Sequence, residues 1–311
     1  MKVEFIGAVS KGLEGKELAE MGDMAEAGVV AFSDDGHYVE NAAFMRRALE
    51  YSSMFNKMVI DHAEDITLTK NGHMHEGIVS YELGVIGRPA VAEDLAVARD
   101  ILLSEMTGGH IHIAHVSSKN TVDMVRRAKA KGLNVTCEVT SQHLSFTDEY
   151  LREYNPAFKM APPIRSEDHR QALLEGLKDG TIDAIITDHA PHAYEEKDHE
   201  FCCAPNGFSG LETSLAAVIT NAYGPDKLSI DQVVYYMSTR PAELMHLDAG
   251  VLEVGKPADI TVFSTTEKWT VDRNKFYTKG KVSPFDGMTV TGKAKLTVVD
   301  GKIVMKEGVV L

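Results

Sequence analysis

The sequence has 311 residues, of which 44% are hydrophobic and 25% are charged, and its formal net charge is −14. This is the composition of an ordinary globular protein, and its excess of acidic side chains repels phosphate backbones, which excludes nucleic acid as a partner. No apolar stretch approaches the roughly 20 residues that cross a bilayer, and the N-terminus lacks a secretory segment. We therefore expect a cytoplasmic protein without a membrane partner.

Short apolar runs alternate with longer amphipathic segments over the first three quarters of the chain. The strand-like runs cover residues 3–8, 28–33, 57–61, 110–116, 133–139 and 182–187. The helical patterns cover residues 41–53, 91–106, 120–132, 166–180 and 210–224. Because strands that are buried on both faces and alternate with helices form parallel sheets, this order predicts an α/β fold.

The pattern changes after about residue 240, where short strands and Gly-containing turns replace the alternation. Residues 250–264 and 292–311 are typical of short strands, and VVDGKIV (298–304) is typical of a hairpin. We predict an α/β domain over residues 1–243 and a small β-rich domain, of the β-sandwich type, over residues 244–311.

Acidic side chains and histidines follow five consecutive strand-like runs. They are Asp34 and Asp35, then His62, then His115, then Glu138 and His143, and finally Asp188 and His189. Catalytic groups of a (β/α)8 barrel gather at the carboxyl ends of several different strands. The pattern therefore predicts an active site on an incomplete (β/α)8 TIM-type barrel, of which about six of the eight strands can be counted.

Imidazole and carboxylate groups together at strand ends indicate a metal site. His62 and His115 offer imidazoles, and Asp35 and Asp188 offer carboxylates. This donor set suits catalytic Zn²⁺, with Mn²⁺ or Fe²⁺ as alternatives. Such an ion lowers the pKa of bound water to about 7 and so provides hydroxide at neutral pH. Asp188 then lies where a general base and acid is needed.

Several motifs occur in the order in which bacterial type I dihydroorotases of the amidohydrolase superfamily carry them, and the chain resembles that family over nearly its whole length. They are GVVAFSDDG, IDHAED, HIHIAHVSSK, CEVTSQHL, KMAPPIR, ITDHAPH and PNGFSGLET, followed by GKPADITVF and SPFDG. The resemblance implies the zinc-dependent, reversible cyclisation of N-carbamoyl-L-aspartate to dihydroorotate in pyrimidine (UMP) biosynthesis. Members are often dimers, so a homodimer and an association with aspartate transcarbamoylase stay open.

The resemblance also implies a metal role for each strand-end residue. Asp35 would bridge two zinc ions, and His62 and His115 would complete the binding of one of them. Asp188 would hold the other ion and act as the base for the reacting nitrogen or water.

Substrate contacts are implied in the same way. His192 and the backbone around Asn206 and Gly207 would bind the substrate carboxylate and ring amide. Residues 190–205 would form the mobile active-site loop. Ala161 stands where many members carry a substrate-binding Asn, so this contact departs from the family pattern.

A second departure concerns the start of the chain. Members begin with strands of a β-sandwich and then a strand ending in His-x-His, which supplies two ligands to the ion on the Asp188 side. We expect this chain to start at the third barrel strand, to bind about one zinc ion and to turn over poorly. His73–His75 and His110–His112 are not expected to replace the pair, because the first lies in a segment (63–90) without strand-like runs and the second opens a strand.

Two other interpretations stay open. A catalytically silent, dihydroorotase-like scaffold of aspartate transcarbamoylase would fit the absent His-x-His, although such scaffolds usually lose the other ligands too. An allantoinase or dihydropyrimidinase is the enzymatic alternative, since one fold hosts several chemistries. Those relatives bridge their metals with a carboxylated lysine, and no lysine lies near Asp35.

Overall fold

The computed structural model describes residues 2–311, which form two compact bodies. The first body contains Lys2–Val139 and Arg165–Asp183, and the second contains Thr140–Ile164 and Ala184–Leu311. This division follows the packing of the chain and differs from the predicted domain boundary at residues 243 and 244, which stays a prediction.

The strands are short in the first half of the chain and long near its end. They are β1 (Ile6–Gly7), β2 (Ala31–Ser33), β3 (Val59–Asp61), β4 (Met74–His75), β5 (Gly87–Arg88), β6 (Ile111–Ile113), β7 (Val135–Thr140), β8 (Ala184–Ile186), β9 (Ile260–Thr270), β10 (Thr289–Val299), β11 (Lys302–Lys306) and β12 (Val309–Val310). The main sheet has the order β1–β2–β3–β6–β7–β8. Its first four pairs are parallel. Each predicted strand-like run overlaps one of its strands, which confirms the α/β class.

The helices complete the alternation. They are α1 (Met21–Glu26), α2 (Ala42–Ser53), α3 (Ile66–Thr69), α4 (Ile78–Leu83), α5 (Val91–Thr107), α6 (Lys119–Ala130), α7 (Glu167–Lys178), α8 (Tyr194–Lys197), α9 (Ser214–Asn221), α10 (Ile230–Val234) and α11 (Arg240–Leu244). The five predicted helices correspond to α2, α5, α6, α7 and α9. Local signals set their ends: the side chain of Asn41 caps α2 by accepting from the Phe44 amide, and Gly108, at φ 74°, ends α5.

The segment 63–90 is more ordered than its sequence indicates. Strands β4 and β5 pair in parallel as a small sheet of their own, with Met74 opposite Gly87 and His75 opposite Arg88. The expectation that this segment lacks strands was therefore wrong. Two-residue strands are too short to show an alternating pattern of apolar and polar residues, so periodicity does not reveal them.

A buried ion pair joins the two parts of the first body. The Arg165 Nη2 atom lies 3.3 Å from Glu93 Oε2, and Arg165 Nε donates to Ser117 Oγ at 2.7 Å. Arg165 and Glu93 are each 3% exposed. Burial alone raises the pKa of Glu93, but Arg165 and the hydrogen bonds from Ser117 and Ser118 outweigh burial and hold this pKa below its usual value.

We expect Arg165→Met to lower the free energy of unfolding by about 3–5 kcal/mol, because it leaves the Glu93 carboxylate buried without its cation. A carboxylate whose folded pKa is depressed stabilises the fold above its unfolded pKa, and this contribution is lost as the pH falls through the folded pKa. The free energy of unfolding should therefore fall less steeply in the variant as the pH is lowered. Urea denaturation at several pH values measures both effects.

Arg126→Met is the control, since the exposed pair of Arg126 with Asp179 is worth about 0–1 kcal/mol. Equal losses in the two variants would contradict the expectation.

The second body ends in an antiparallel sheet with the order β12–β11–β10–β9. The predicted hairpin is confirmed, with Val299 opposite Lys302 and a turn in which Asp300 and Gly301 have φ values of 48° and 74°. Positive φ at both central residues is what a two-residue hairpin turn of type I′ requires. The sheet confirms the predicted β-rich C-terminal portion. No helix within residues 2–311 has both the length and the apolar character to span a membrane.

Candidate metal centre

The two adjacent aspartates after β2 have different surroundings. Asp34 is buried, and its Oδ1 accepts hydrogen bonds from the amides of Val9 at 2.8 Å and Ser10 at 3.0 Å. Its other oxygen accepts from the Ser10 hydroxyl. Asp34 therefore stabilises the backbone after β1. The side chain of Asp35 is 70% exposed, which leaves this carboxylate accessible to a ligand.

Asp35, His62 and His115 lie together at the ends of β2, β3 and β6 in the first body. One possible ligand atom from each lies within 4.8 Å of the others, and within residues 2–311 this is the one such group of three His, Cys, Asp or Glu side chains. His62 Nδ1 lies 2.9 Å from His115 Nε2, which lies 3.9 Å from Asp35 Oδ1. Three of the four predicted metal ligands are thus close together.

This group fits a divalent transition metal. Two nitrogen ligands at the usual 2.0–2.1 Å from a tetrahedral Zn²⁺ lie about 3.3 Å apart, so a small rotation of the His62 or His115 ring is enough to accommodate the ion. Both imidazoles are buried, with 9% and 6% of the residue exposed. The exposed carboxylate of Asp35 leaves one side open, as a catalytic site needs.

A buried carboxylate lies behind His62. Glu64 Oε2 is 4.0 Å from His62 Nε2, the ring nitrogen that does not face His115. The guanidinium of Arg88 donates to the same oxygen. Burial raises the pKa of Glu64, but His62 and Arg88 outweigh burial and hold this pKa below its usual value. An ionised carboxylate beside the outer nitrogen orients a metal-binding imidazole. We did not select Glu64 from the sequence, although its place two residues after a predicted ligand is a usable signal.

The other His-x-His pairs have different partners. His110 Nε2 and His112 Nδ1 each lie 2.7 Å from the hydroxyl of Thr136. His75 Nδ1 lies 3.3 Å from Arg165 Nη1, and burial, with the charge of Arg165, lowers the pKa of His75 to about 3. These contacts support structural roles for His75, His110 and His112.

Backbone strain occurs at two of the predicted functional residues. His115 has a φ of 33° and Asp188 has a φ of 43°. Residues other than Gly rarely adopt this left-handed region, and each such residue costs on the order of 1–3 kcal/mol. Strain of this kind is concentrated at functional sites, where it fixes the direction of a side chain.

The predicted substrate residues lie in the second body. Asp188 follows β8, and the imidazole of His192 donates from Nε2 to the Asn206 carbonyl at 2.7 Å. Gly207 has a φ of 104°, and a Cβ atom on it would lie 2.7 Å from the Ala190 Cβ. The chain therefore needs glycine at position 207. His192, Asn206 and Gly207 are close together, as the sequence indicated.

Ala161 is half-buried and precedes Pro162 across a cis peptide bond. Its methyl side chain has no hydrogen-bonding atom, so it does not replace an Asn contact to a substrate. The expected loss of this substrate contact stays a prediction from the sequence.

The predicted loop 190–205 is not simply a solvated segment. Helix α8 lies within it, and Lys197, at the end of this helix, is only 2% exposed. Its polar composition gave no sign of this burial, because the partners of Lys197 are backbone oxygens that come close only in the folded chain. Cys202 and Cys203, in the same loop, are free and exposed.

Comparison with known proteins identifies the family. Residues 8–304 match the model of the Amidohydrolase family. The chain belongs to the amidohydrolase family. It is 48% identical over 302 residues to the dihydroorotase of Syntrophus aciditrophicus, a match that covers 97% of this chain and 71% of the relative. It is 47% identical over 306 residues to the dihydroorotase of Acetivibrio thermocellus, covering 98% and 72%.

Solved structures of other proteins share the fold of this chain. The L-hydantoinase (dihydropyrimidinase) from Arthrobacter aurescens matches with a TM-score of 0.86 and 30% identity, over 99% of this chain and 71% of that structure. A D-hydantoinase from Thermus sp. matches with a TM-score of 0.83 at 22% identity, which is evidence of the fold alone. The predicted TIM-type α/β fold is confirmed.

Proposed function

We propose that this amidohydrolase is a dihydroorotase, which interconverts N-carbamoyl-L-aspartate and dihydroorotate in pyrimidine biosynthesis. The observation that carries the proposal is the group of Asp35, His62 and His115 at three strand ends, in a chain 47–48% identical to curated dihydroorotases. The small-molecule substrate follows from this function.

Asp35, His62 and His115 are the residues that would hold a divalent cation, for which we propose Zn²⁺. When bound, this ion supplies Lewis-acid chemistry and lowers the pKa of a water molecule. Glu64 keeps the His62 ring oriented through the nitrogen that faces away from His115.

Asp188 moves the protons in the proposed reaction. In the hydrolytic direction its carboxylate accepts a proton from the attacking water and passes it to the ring nitrogen that leaves. In the cyclisation direction the same carboxylate accepts the proton of the attacking ureido nitrogen and passes it to the oxygen that leaves as water. Asp188 therefore acts first as a base and then as an acid in each direction. The strained backbone at Asp188 supports this proposal, because residues with such strain cluster at functional sites.

His192, Asn206 and Gly207 are proposed to bind the substrate. The Asn206 side chain is exposed, and the hydrogen bond from His192 to the Asn206 carbonyl holds the backbone beside it. A preorganised binding surface needs less ordering when the substrate arrives. The cytoplasmic location, the homodimer and an association with aspartate transcarbamoylase stay predictions from the sequence.

The experiment compares ring substrates on the zinc-loaded chain. We expect ring opening of dihydroorotate to exceed that of hydantoin, dihydrouracil and allantoin, and to disappear when a chelator removes the metal. Calorimetric binding of dihydroorotate gives a second readout that does not need fast turnover. A preference for hydantoin or dihydrouracil would replace the proposal by a hydantoinase-type function. Binding of aspartate transcarbamoylase without binding of any ring compound would favour the scaffold.

A further inference from the structure

Two lysines of the second body are buried. Lys159 is 4% exposed and Lys197 is 2% exposed. Lysine is almost never fully buried unless its ammonium group is paired, because removing the charge from water is costly. Burial and the nearby charge of Lys159 lower the pKa of Lys197 to about 8. The fold therefore tolerates an unfavourable arrangement of two cations, which calls for an explanation.

Backbone carbonyl oxygens surround both ammonium groups. Lys159 Nζ donates to the carbonyls of Cys202 at 2.9 Å and Ala204 at 2.7 Å. Lys197 Nζ donates to the carbonyl of Pro205 at 2.8 Å. Three carbonyls within four consecutive residues thus face the two lysines. Hydrogen bonds from a charged donor are stronger than neutral ones, so these contacts fix the local backbone.

The same backbone leads directly to the proposed substrate residues. The Gly207 amide donates to the carbonyl of Lys159 at 2.9 Å, and His192 donates to the carbonyl of Asn206. We call residues 202–207 the lysine-held segment. Lys159 contacts this segment through its side chain and its backbone, and Lys197 contacts the residue just before Asn206. Without them its inner carbonyls would lose their donors.

We propose that Lys159 and Lys197 are positioning residues, which hold residues 202–207 in the conformation that binds the substrate. The proposal rests on the proposed function for the identity of the ligand. Neither lysine needs to touch the substrate, because each acts through the backbone that presents Asn206 and Gly207. A flexible segment would have to be ordered on binding, and this entropic cost weakens the affinity.

The test uses Lys159→Met and Lys197→Met, which keep the length of the side chain and remove its donors. Lys256→Met is the matched control, since Lys256 is exposed and pairs with the surface residue Asp248. We expect the Kd and KM for dihydroorotate to rise about 10-fold or more in the two variants, with kcat changed by less than about 3-fold. Zinc content should equal that of the unmodified chain.

Two further measurements do not need turnover. A glutamate-specific protease should cut after the exposed Glu200 faster in both variants than in the control. In Lys197→Ala, added propylammonium should restore dihydroorotate affinity, while tetramethylammonium, which has no N–H donor, should not. Unchanged affinity and unchanged cleavage in folded variants would overturn the proposal. A parallel loss of kcat, zinc and thermal stability would also overturn it, since it would indicate a purely structural role.

If the chain is not a dihydroorotase, these experiments give a result that differs from failure of the positioning role. In that case the unmodified chain would not bind dihydroorotate, while the protease would still report whether the lysines hold residues 202–207. Faster cleavage in the variants would then support the positioning role, and unchanged cleavage would overturn it.

Discussion

Replacing His115 by alanine is expected to weaken zinc binding by at least about 100-fold, which exceeds the usual effect of residues that only support a metal ligand. His115 Nε2 is the central atom of the candidate site, 2.9 Å from His62 Nδ1 and 3.9 Å from Asp35 Oδ1. Its loss leaves two ligands, one of them on an exposed side chain. Competition with a chromophoric chelator measures the affinity, and metal analysis of the unmodified chain should give about one zinc ion.

The zinc affinities of two other variants serve as comparisons for His115→Ala. Glu64→Gln keeps the shape of the side chain but removes the charge behind His62, so we expect zinc affinity to fall about 10-fold. His110→Ala removes an imidazole that lies against Thr136, and we expect its affinity for zinc to stay within about 3-fold of the unmodified value because it removes no ligand. Equal losses for His110→Ala and His115→Ala would show that the metal does not bind where we place it.

The second large effect is expected for Asp188→Asn. An amide has nearly the shape of the carboxylate but accepts no proton, so we expect kcat for dihydroorotate to fall by about 10²–10⁴-fold. The KM should change little, because the substrate contacts are assigned to other residues. Steady-state kinetics in both reaction directions provide the measurement, and both should fall together if one group moves the proton both ways.

Asp226→Asn is the control for this experiment, since Asp226 is an exposed acid in the same body. We expect its kcat to be unchanged. A rise in KM with full retention of kcat for Asp188→Asn would assign Asp188 to substrate binding and not to proton transfer. Zinc affinity measured alongside separates a proton-transfer defect from a loss of metal.

Much of the fold was visible in the sequence because its signals are local. Every predicted strand of the main sheet is present, since buried parallel strands are continuous apolar runs that need no knowledge of their neighbours. Asp35, His62 and His115 follow three such strands directly. Once strands are parallel and adjacent, residues at their carboxyl ends meet, so sequence position alone predicted the grouping.

The missed features depend on contacts that form only in the folded chain. Lys197 lies in a polar loop, and its buried ammonium group donates to the carbonyl of Pro205. Strands β4 and β5 pair with each other across a dozen residues and are too short for a periodic signal. The place of Glu64 two residues after His62 could draw attention to it, but its role follows from the direction of the His62 ring. Tertiary environment, which a linear pattern does not encode, decides each case.

The left-handed backbone at His115 and Asp188 has a consequence for directed evolution. Glycine adopts that conformation without steric strain, so a library selected for heat resistance alone would admit glycine at position 188 and lose the carboxylate that we propose to move the protons. Directed evolution of this protein for thermal stability would therefore have to select for catalytic activity in every round.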